Sequence, residues 1–170
     1  MNKLPGDYIA GFVDGEGCFA LKFRRDIKPE RKNKPVYFYW DIEFAIVLRK
    51  DDEEIIKNIR DTLACGRISV NRSGQVRYSV NRIDDLLDKV VPFFERYRLR
   101  AKKRFDFELW TEALEILSKN QQTKTKRKGI GFARIEWKKD DLKRLIEIQE
   151  EMREFKSKRN DWKWITQIKK

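Results

Sequence analysis

Residues 36–48, VYFYWDIEFAIVL, alternate large apolar and polar side chains along their length. Phe38, Trp40, Ile42, Phe44 and Ile46 share one parity; Tyr37, Tyr39, Asp41 and Glu43 share the other. Successive side chains leave opposite faces of a pleated strand, so a period of two marks a half-buried β-strand. CFALKFRRD at residues 18–26 repeats the pattern, with Phe19, Leu21 and Phe23 opposed to Lys22 and Arg24. Further on, RISVNR and QVRYSVNR flank Ser73-Gly74, a hairpin turn between two more strands. Ile68, Val70, Val76, Tyr78 and Val80 take one face there, and Arg67, Ser69, Asn71, Arg77, Ser79 and Asn81 the other. Strands with a single apolar row call for an antiparallel sheet packed on helices by one face and free on the other.

The intervening segments supply those helices. Pro5 suits a first helical turn before IAGFVDGEG at residues 9–17. Asp51 and Glu54 resemble a capping box ahead of Ile55, Ile56, Ile59 and Leu63 at helical spacing, with Gly66 as the stop. IDDLLDKVV is expected to break at Pro92, and a longer amphipathic helix to run through Phe107, Trp110, Leu114 and Leu117. A basic, polar connection, SKNQQTKTKRKGIG, leads to a final helix around Leu142 to Phe155. The order is helix, strand, strand, helix, strand, strand, then helices, with no internal repeat.

Charge and missing residue types narrow the chemistry. The chain carries 40 Lys+Arg against 28 Asp+Glu, a formal charge of +12, which favours a polyanionic partner such as nucleic acid. It contains no histidine, which removes the commonest general base, Ser-His and Cys-His nucleophiles and the usual zinc site. Any hydrolysis must therefore use carboxylates, metal ions, lysine and water. Cys18 and Cys65 form no CxxC pair and are expected as small buried apolar groups in a reducing, intracellular setting. No apolar run approaches the roughly 20 residues of a bilayer crossing, and MNKLPGDY lacks the pattern of a secretion signal. The expected location is cytoplasmic in a prokaryote, with an organelle compatible as well, and no membrane role is expected.

The free face of the sheet would carry Lys22, Arg24, Tyr37, Tyr39, Asp41, Glu43, Arg67, Ser69, Asn71, Arg77, Ser79 and Asn81. Arg and Lys read guanine, Asn pairs with adenine, and acids accept from cytosine amino groups. The set is compatible with readout of double-stranded DNA, or with an ordinary solvated face. Two basic runs, RYRLRAKKR at 96–104 and TKTKRK at 123–128, fit phosphate contacts that position a duplex without reading it.

The cluster Gly15-Glu16-Gly17 poses a separate problem. The C-terminal end of a helix carries partial negative charge, so a carboxylate there is poorly placed unless a cation joins it. Mg²⁺ takes hard oxygens, such as the Glu16 carboxylate and the Gly15 carbonyl, together with phosphate oxygens and water. Gly11 and Gly15 share a helix face on which two backbones could approach closely, bringing two Glu16 side chains together. The residues alone fit either a symmetric metal-dependent phosphodiester site or a helix terminus with a tight turn.

IAGFVDGEG resembles the LAGLIDADG motif of homing endonucleases, with Ile9, Phe12 and Val13 at its apolar positions and Glu16 at its second acid. The family's αββαββα core then matches roughly residues 5 to 118, and FELW after LRAKKRFD resembles its later helix. The resemblance implies an α+β fold with an antiparallel, saddle-shaped DNA-binding sheet packed on helices. It also implies an endonuclease core over residues 1–118, with a basic loop and helical extension of the same domain over 119–170.

A single motif implies a homodimer whose interface carries Tyr8, Gly11, Phe12 and Gly15. Each subunit would cut one strand of a long pseudo-palindromic target across the minor groove, leaving 3′ overhangs. Glu16 and Gly15 would bind Mg²⁺ or another divalent cation such as Mn²⁺, Asp14 would support the helix end, and Lys103 would be the active-site lysine, with Lys102 as its neighbour in register. Arg49 and Lys50 fall near the residues that order solvent around the reacting phosphate. Leu48 stands where some relatives have a water-positioning glutamine. The same resemblance admits intron RNA as a partner in a maturase role, or a non-catalytic nucleic-acid-binding protein of the same fold.

Overall fold

The four alternating segments pair into one antiparallel sheet of order β1-β2-β4-β3. This is a computed structural model of the 170-residue chain, and it describes residues 3–27, 30, 32, 36–122 and 137–154. The elements run α1 (Gly6–Glu16), β1 (Gly17–Ile27), β2 (Val36–Arg49), α2 (Glu53–Leu63), β3 (Arg67–Val70) and β4 (Gln75–Val80). Two short helices follow, α3 (Ile83–Asp85) and α4 (Val91–Arg96), then α5 (Lys103–Gln122) and α6 (Lys139–Glu154). The architecture is the expected α+β arrangement of an αββαββα core with C-terminal helices. The run at 123–128 and the tail NDWKWITQIKK lie outside the described residues, as do most of the β1–β2 connection and Phe155.

Parity decides what the sheet buries. Phe19, Leu21 and Phe23 of β1, Ile42, Phe44 and Ile46 of β2, and Val76, Tyr78 and Val80 of β4 are all buried. Phe19 and Phe44 face each other in register with ring centroids 5.2 Å apart. Phe94 of α4 meets both rings edge-on, and Trp110 of α5 lies 5.2 Å from Phe19. Ile9, Ala10 and Val13 of α1 close the same core. Trp110 is fully buried, so Trp110→Ala is expected to cost about 3–5 kcal/mol through lost transfer energy and a residual cavity, read by urea unfolding.

Helix α6 extends this core. Leu145, Ile148 and Met152 join the main cluster, while Ile146 packs with Phe23 and Trp40 beneath the outer halves of β1 and β2. Arg144 fixes it to α5 through paired bonds to Glu112, at 2.6 and 2.7 Å. A division at residue 118 falls inside α5, which continues to Gln122.

Local details depart from the sequence expectations. Asp52, not Asp51, sits at the N-cap of α2, and no side chain there makes a capping hydrogen bond. Asp51 lies in a 3-10 turn over Lys50–Asp52 and pairs instead with Arg49 at 2.9 Å. The left-handed residue ending α2 is Ala64 (φ 52°), with Gly66 (φ 79°) placed where the chain enters β3. A side chain at Gly66 would also press into Tyr78 and Val80.

Pro92 does not break the helical run. A π-helical turn over Leu86–Val90 absorbs the altered hydrogen-bonding ahead of it, and Pro92 occupies the first turn of α4, where a missing N–H matters little. Val70 is 46% exposed because it ends the short edge strand β3. Neither cysteine is buried: Cys18 is exposed, and Cys65 is half-buried with desolvation pushing its thiol up.

Candidate active site and nucleic-acid face

Two elements meet at the tip of α1. Val13 faces the core, which turns Asp14 toward the α4–α5 connection and leaves Gly15 and Glu16 exposed. Asp14 Oδ2 accepts the backbone N–H groups of Arg100 (2.7 Å) and Ala101 (3.2 Å). This holds the connection just before α5, whose first residue is Lys103. The Lys103 ammonium donates to the Gly17 carbonyl, so it reaches the α1 tip, whereas Lys102 is exposed. Gly17 itself is required by packing: a Cβ there would fall 2.5 Å from Val13 Cγ1 and 2.8 Å from the Val13 carbonyl oxygen. Asp14 Oδ1 is buried and makes no hydrogen bond to the described residues.

Among the described residues, nothing covers the two glycines on the outer face of α1. Tyr8 is 49% exposed, and a Cβ built on Gly11 or Gly15 would meet nothing within 4 Å. Phe12, half-buried, packs against Tyr8 with ring centroids 6.3 Å apart. Beside this face lies a cleft of about 530 Å³ that joins Glu16 to Arg49, Asp52 and Gln75. Among the described residues, no group of three or more His, Cys, Asp or Glu side chains could hold a metal ion. One chain therefore offers Glu16 and backbone oxygens at the tip, but no closed cage.

The polar face of the sheet is internally paired. Glu43 accepts from Lys22 at 3.0 Å and from Arg77 at 2.8 Å. Burial raises its pKa, but the bonds from Arg77 and Lys22 outweigh that and hold the carboxyl below its ordinary value. Arg24 bonds Asp41 at 3.1 Å and lies 5.7 Å from the Tyr39 ring centroid. Arg67, Ser69 and Asn81 are exposed, as are Arg49 and Lys50 at the far end of β2. The side chain of Tyr37 lies outside the described ones.

Two members of the expected set are placed differently. Ser79 is only 4% exposed, because it sits between Ala45 and Arg67 on flanking strands and is covered by its neighbours. Asn71 lies in the β3–β4 turn, where Oδ1 accepts the backbone N–H of Ser73 and of Gln75. Gln75 was missed by sequence reasoning. Its parity with Arg77 was the available signal, the same parity by which Asn71 was assigned to the polar face.

The chain is similar in sequence and fold to known proteins. The sequence profile described as LAGLIDADG endonuclease matches residues 9–114. A probable intron-encoded DNA endonuclease 1 from Mycosarcoma maydis is 30% identical over 106 residues, covering 61% of this chain and 35% of that protein. The crystal structure of a homing endonuclease, I-TnaI, superposes with a TM-score of 0.70 at 26% identity, covering 99% of this chain and 95% of the other. The LAGLIDADG homing endonuclease I-LtrWI, solved bound to target DNA, shares the fold with a TM-score of 0.67 at 22% identity, covering 89% of this chain and 45% of that one. The chain spans about a third or less of the first curated relatives it matches, 35%, 27% and 26% of their lengths.

Proposed function

The chain belongs to the LAGLIDADG endonuclease family, and from that membership we propose that it is an intron-encoded, site-specific homing endonuclease. As a homodimer it hydrolyses both strands of a long pseudo-palindromic DNA target, each subunit cutting one strand across the minor groove to leave 3′ overhangs. The observation that carries this reading is the α1 face, where two bare glycines and Tyr8 lead to an exposed Glu16. Its stripe of missing Cβ atoms suits the close approach of a second α1, and a two-fold axis there brings two Glu16 tips together.

The donors present fit a divalent cation. They are hard oxygens only, Glu16 and the carbonyls at the end of α1, which suits Mg²⁺ or Mn²⁺ shared with DNA phosphates better than an ion needing a full protein cage. The orphaned Asp14 Oδ1 adds negative charge at the same tip. Glu16 and the Gly15 carbonyl would hold the ion. Such an ion supplies positive charge to the reacting phosphate and acidifies a water. The chain's own residues do the rest. Asp14 ties the α5 connection to α1, and Lys103 brings its ammonium to the tip, where it counters negative charge building on phosphate oxygens.

The sheet supplies recognition. Lys22, Arg24, Tyr39, Asp41, Glu43, Arg67, Ser69 and Arg77 offer donors and acceptors to base edges, and the basic surface supplies phosphate contacts. The test is cleavage of a plasmid carrying the intron-less allele. Linearisation with Mg²⁺ and none with EDTA is expected; intact plasmid in Mg²⁺, or equal cleavage in EDTA, would refute the proposal.

A further inference from the structure

We propose that the side-chain amide of Gln75 is a catalytic donor, clamping a non-bridging oxygen of the phosphate under attack, and that Asn71 is the positioning residue that sets its polarity. This rests on the endonuclease reading above. Gln75 opens β4 opposite Arg49 and lines the cleft that also contains Glu16.

Amide oxygen and nitrogen are ordinarily hard to tell apart, but here the backbone decides. Asn71 Oδ1 receives the N–H groups of Ser73 at 3.1 Å and Gln75 at 2.9 Å. A backbone N–H can only donate, so that atom is the Asn71 carbonyl oxygen. Asn71 Nδ2 then lies at the other end and donates to Gln75 at 2.9 Å, which makes the receiving atom Oε1. The remaining end of Gln75 is Nε2, with N–H donors that bond to none of the described residues.

The other polar groups of the cleft differ in kind. Arg49 is engaged with Asp51 at 2.9 Å. Asp52 and Glu16 repel a phosphate, and Tyr8 stands on the face assigned to the second α1. Leu48, Val47 and Ile55 are apolar. Gln75 is thus a neutral donor of fixed direction in the cleft that Glu16 also lines. An N–H group cannot take a proton from water, which excludes a general-base role. It can stabilise an oxygen gaining charge, and a preorganised donor of that kind is worth roughly 10²–10³ in rate.

The experiment uses the full chain and the duplex it cuts, recovered by selection from a randomised library. In single-turnover cleavage with Mg²⁺, Gln75→Ala and Gln75→Glu are expected to be slower by about 10²-fold, with affinity for the same duplex in Ca²⁺ unchanged for Gln75→Ala. Asn71→Asp replaces the donor that holds Gln75 Oε1, turns the amide round and slows cleavage as well. Adding it to Gln75→Ala costs nothing further. Sulphur in place of one non-bridging oxygen at the scissile phosphate slows the wild type, and Gln75→Ala loses that sensitivity. Wild-type cleavage with an undisturbed Gln75→Ala variant, or with sulphur sensitivity retained by it, overturns this inference alone. A wild-type chain that cuts no duplex overturns the endonuclease reading and this inference with it.

Discussion

Glu16→Gln is expected to lower the single-turnover cleavage rate by at least about 10³-fold, the loss of roughly 4 kcal/mol of transition-state stabilisation. The substitution keeps size and hydrogen-bonding shape and removes one negative charge from an exposed helix tip. That side chain is exposed, so stability should stay within the small range of surface changes. Binding should respond in the opposite sense to cutting. Without divalent ions, a glutamate at the α1 tip repels the DNA backbone, so the glutamine variant should bind the duplex at least as tightly in EDTA as the wild type. Parallel gel-shift and cleavage measurements check both halves. Equal loss of binding and cutting would mean that Glu16 contributes to docking and not to the reaction.

The second large effect separates folding from assembly. Gly11→Leu adds a side chain where a Cβ meets none of the described residues, on a helix whose glycine already carries a propensity cost of about 1 kcal/mol relative to good helix formers. The isolated subunit should therefore be as stable as before or slightly more so. At a two-fold axis the added side chain appears twice, and overpacking a close contact costs about 1–3 kcal/mol each time. Subunit affinity should fall by about 10²–10³-fold, and cleavage at low protein concentration with it. Sedimentation at several concentrations, beside a thermal melt, reads both quantities. A variant that loses stability as a monomer, or that dimerises normally, would show that the outer face of α1 is not the interface.

Much of this fold was legible because it rests on parity. Once the strands at residues 18–26, 36–48 and 75–80 are read with period two, the buried row of Phe19, Phe44, Tyr78 and their neighbours follows, as does the polar row opposite. The motif segment was legible for a related reason. Ile9 and Val13 fall at the motif's apolar positions and Gly11 and Gly15 share one helix face, and the fold buries the first pair and exposes the second.

What could not be read depends on contacts distant in sequence. Ser79 has the parity of a surface residue, but its place between two neighbouring strands buries it. Asn71 and Gln75 look interchangeable as polar strand residues, and only the turn geometry shows that one holds the other. The link from Asp14 to Arg100 and Ala101 spans more than 80 positions, so the reason that Lys103 reaches the tip is invisible along the chain. Pro92 signals a break by its chemistry, and the π turn before it is a tertiary accommodation that no local rule supplies.

The stoichiometry of the chain on its own target duplex is the most direct test of the arrangement at α1. Native mass measurement of the complex in Ca²⁺ should find two chains per duplex, with a cross-link forming between cysteines introduced at Gly15 in each. One chain per duplex, with both strands still cut when Mg²⁺ replaces Ca²⁺, would contradict it.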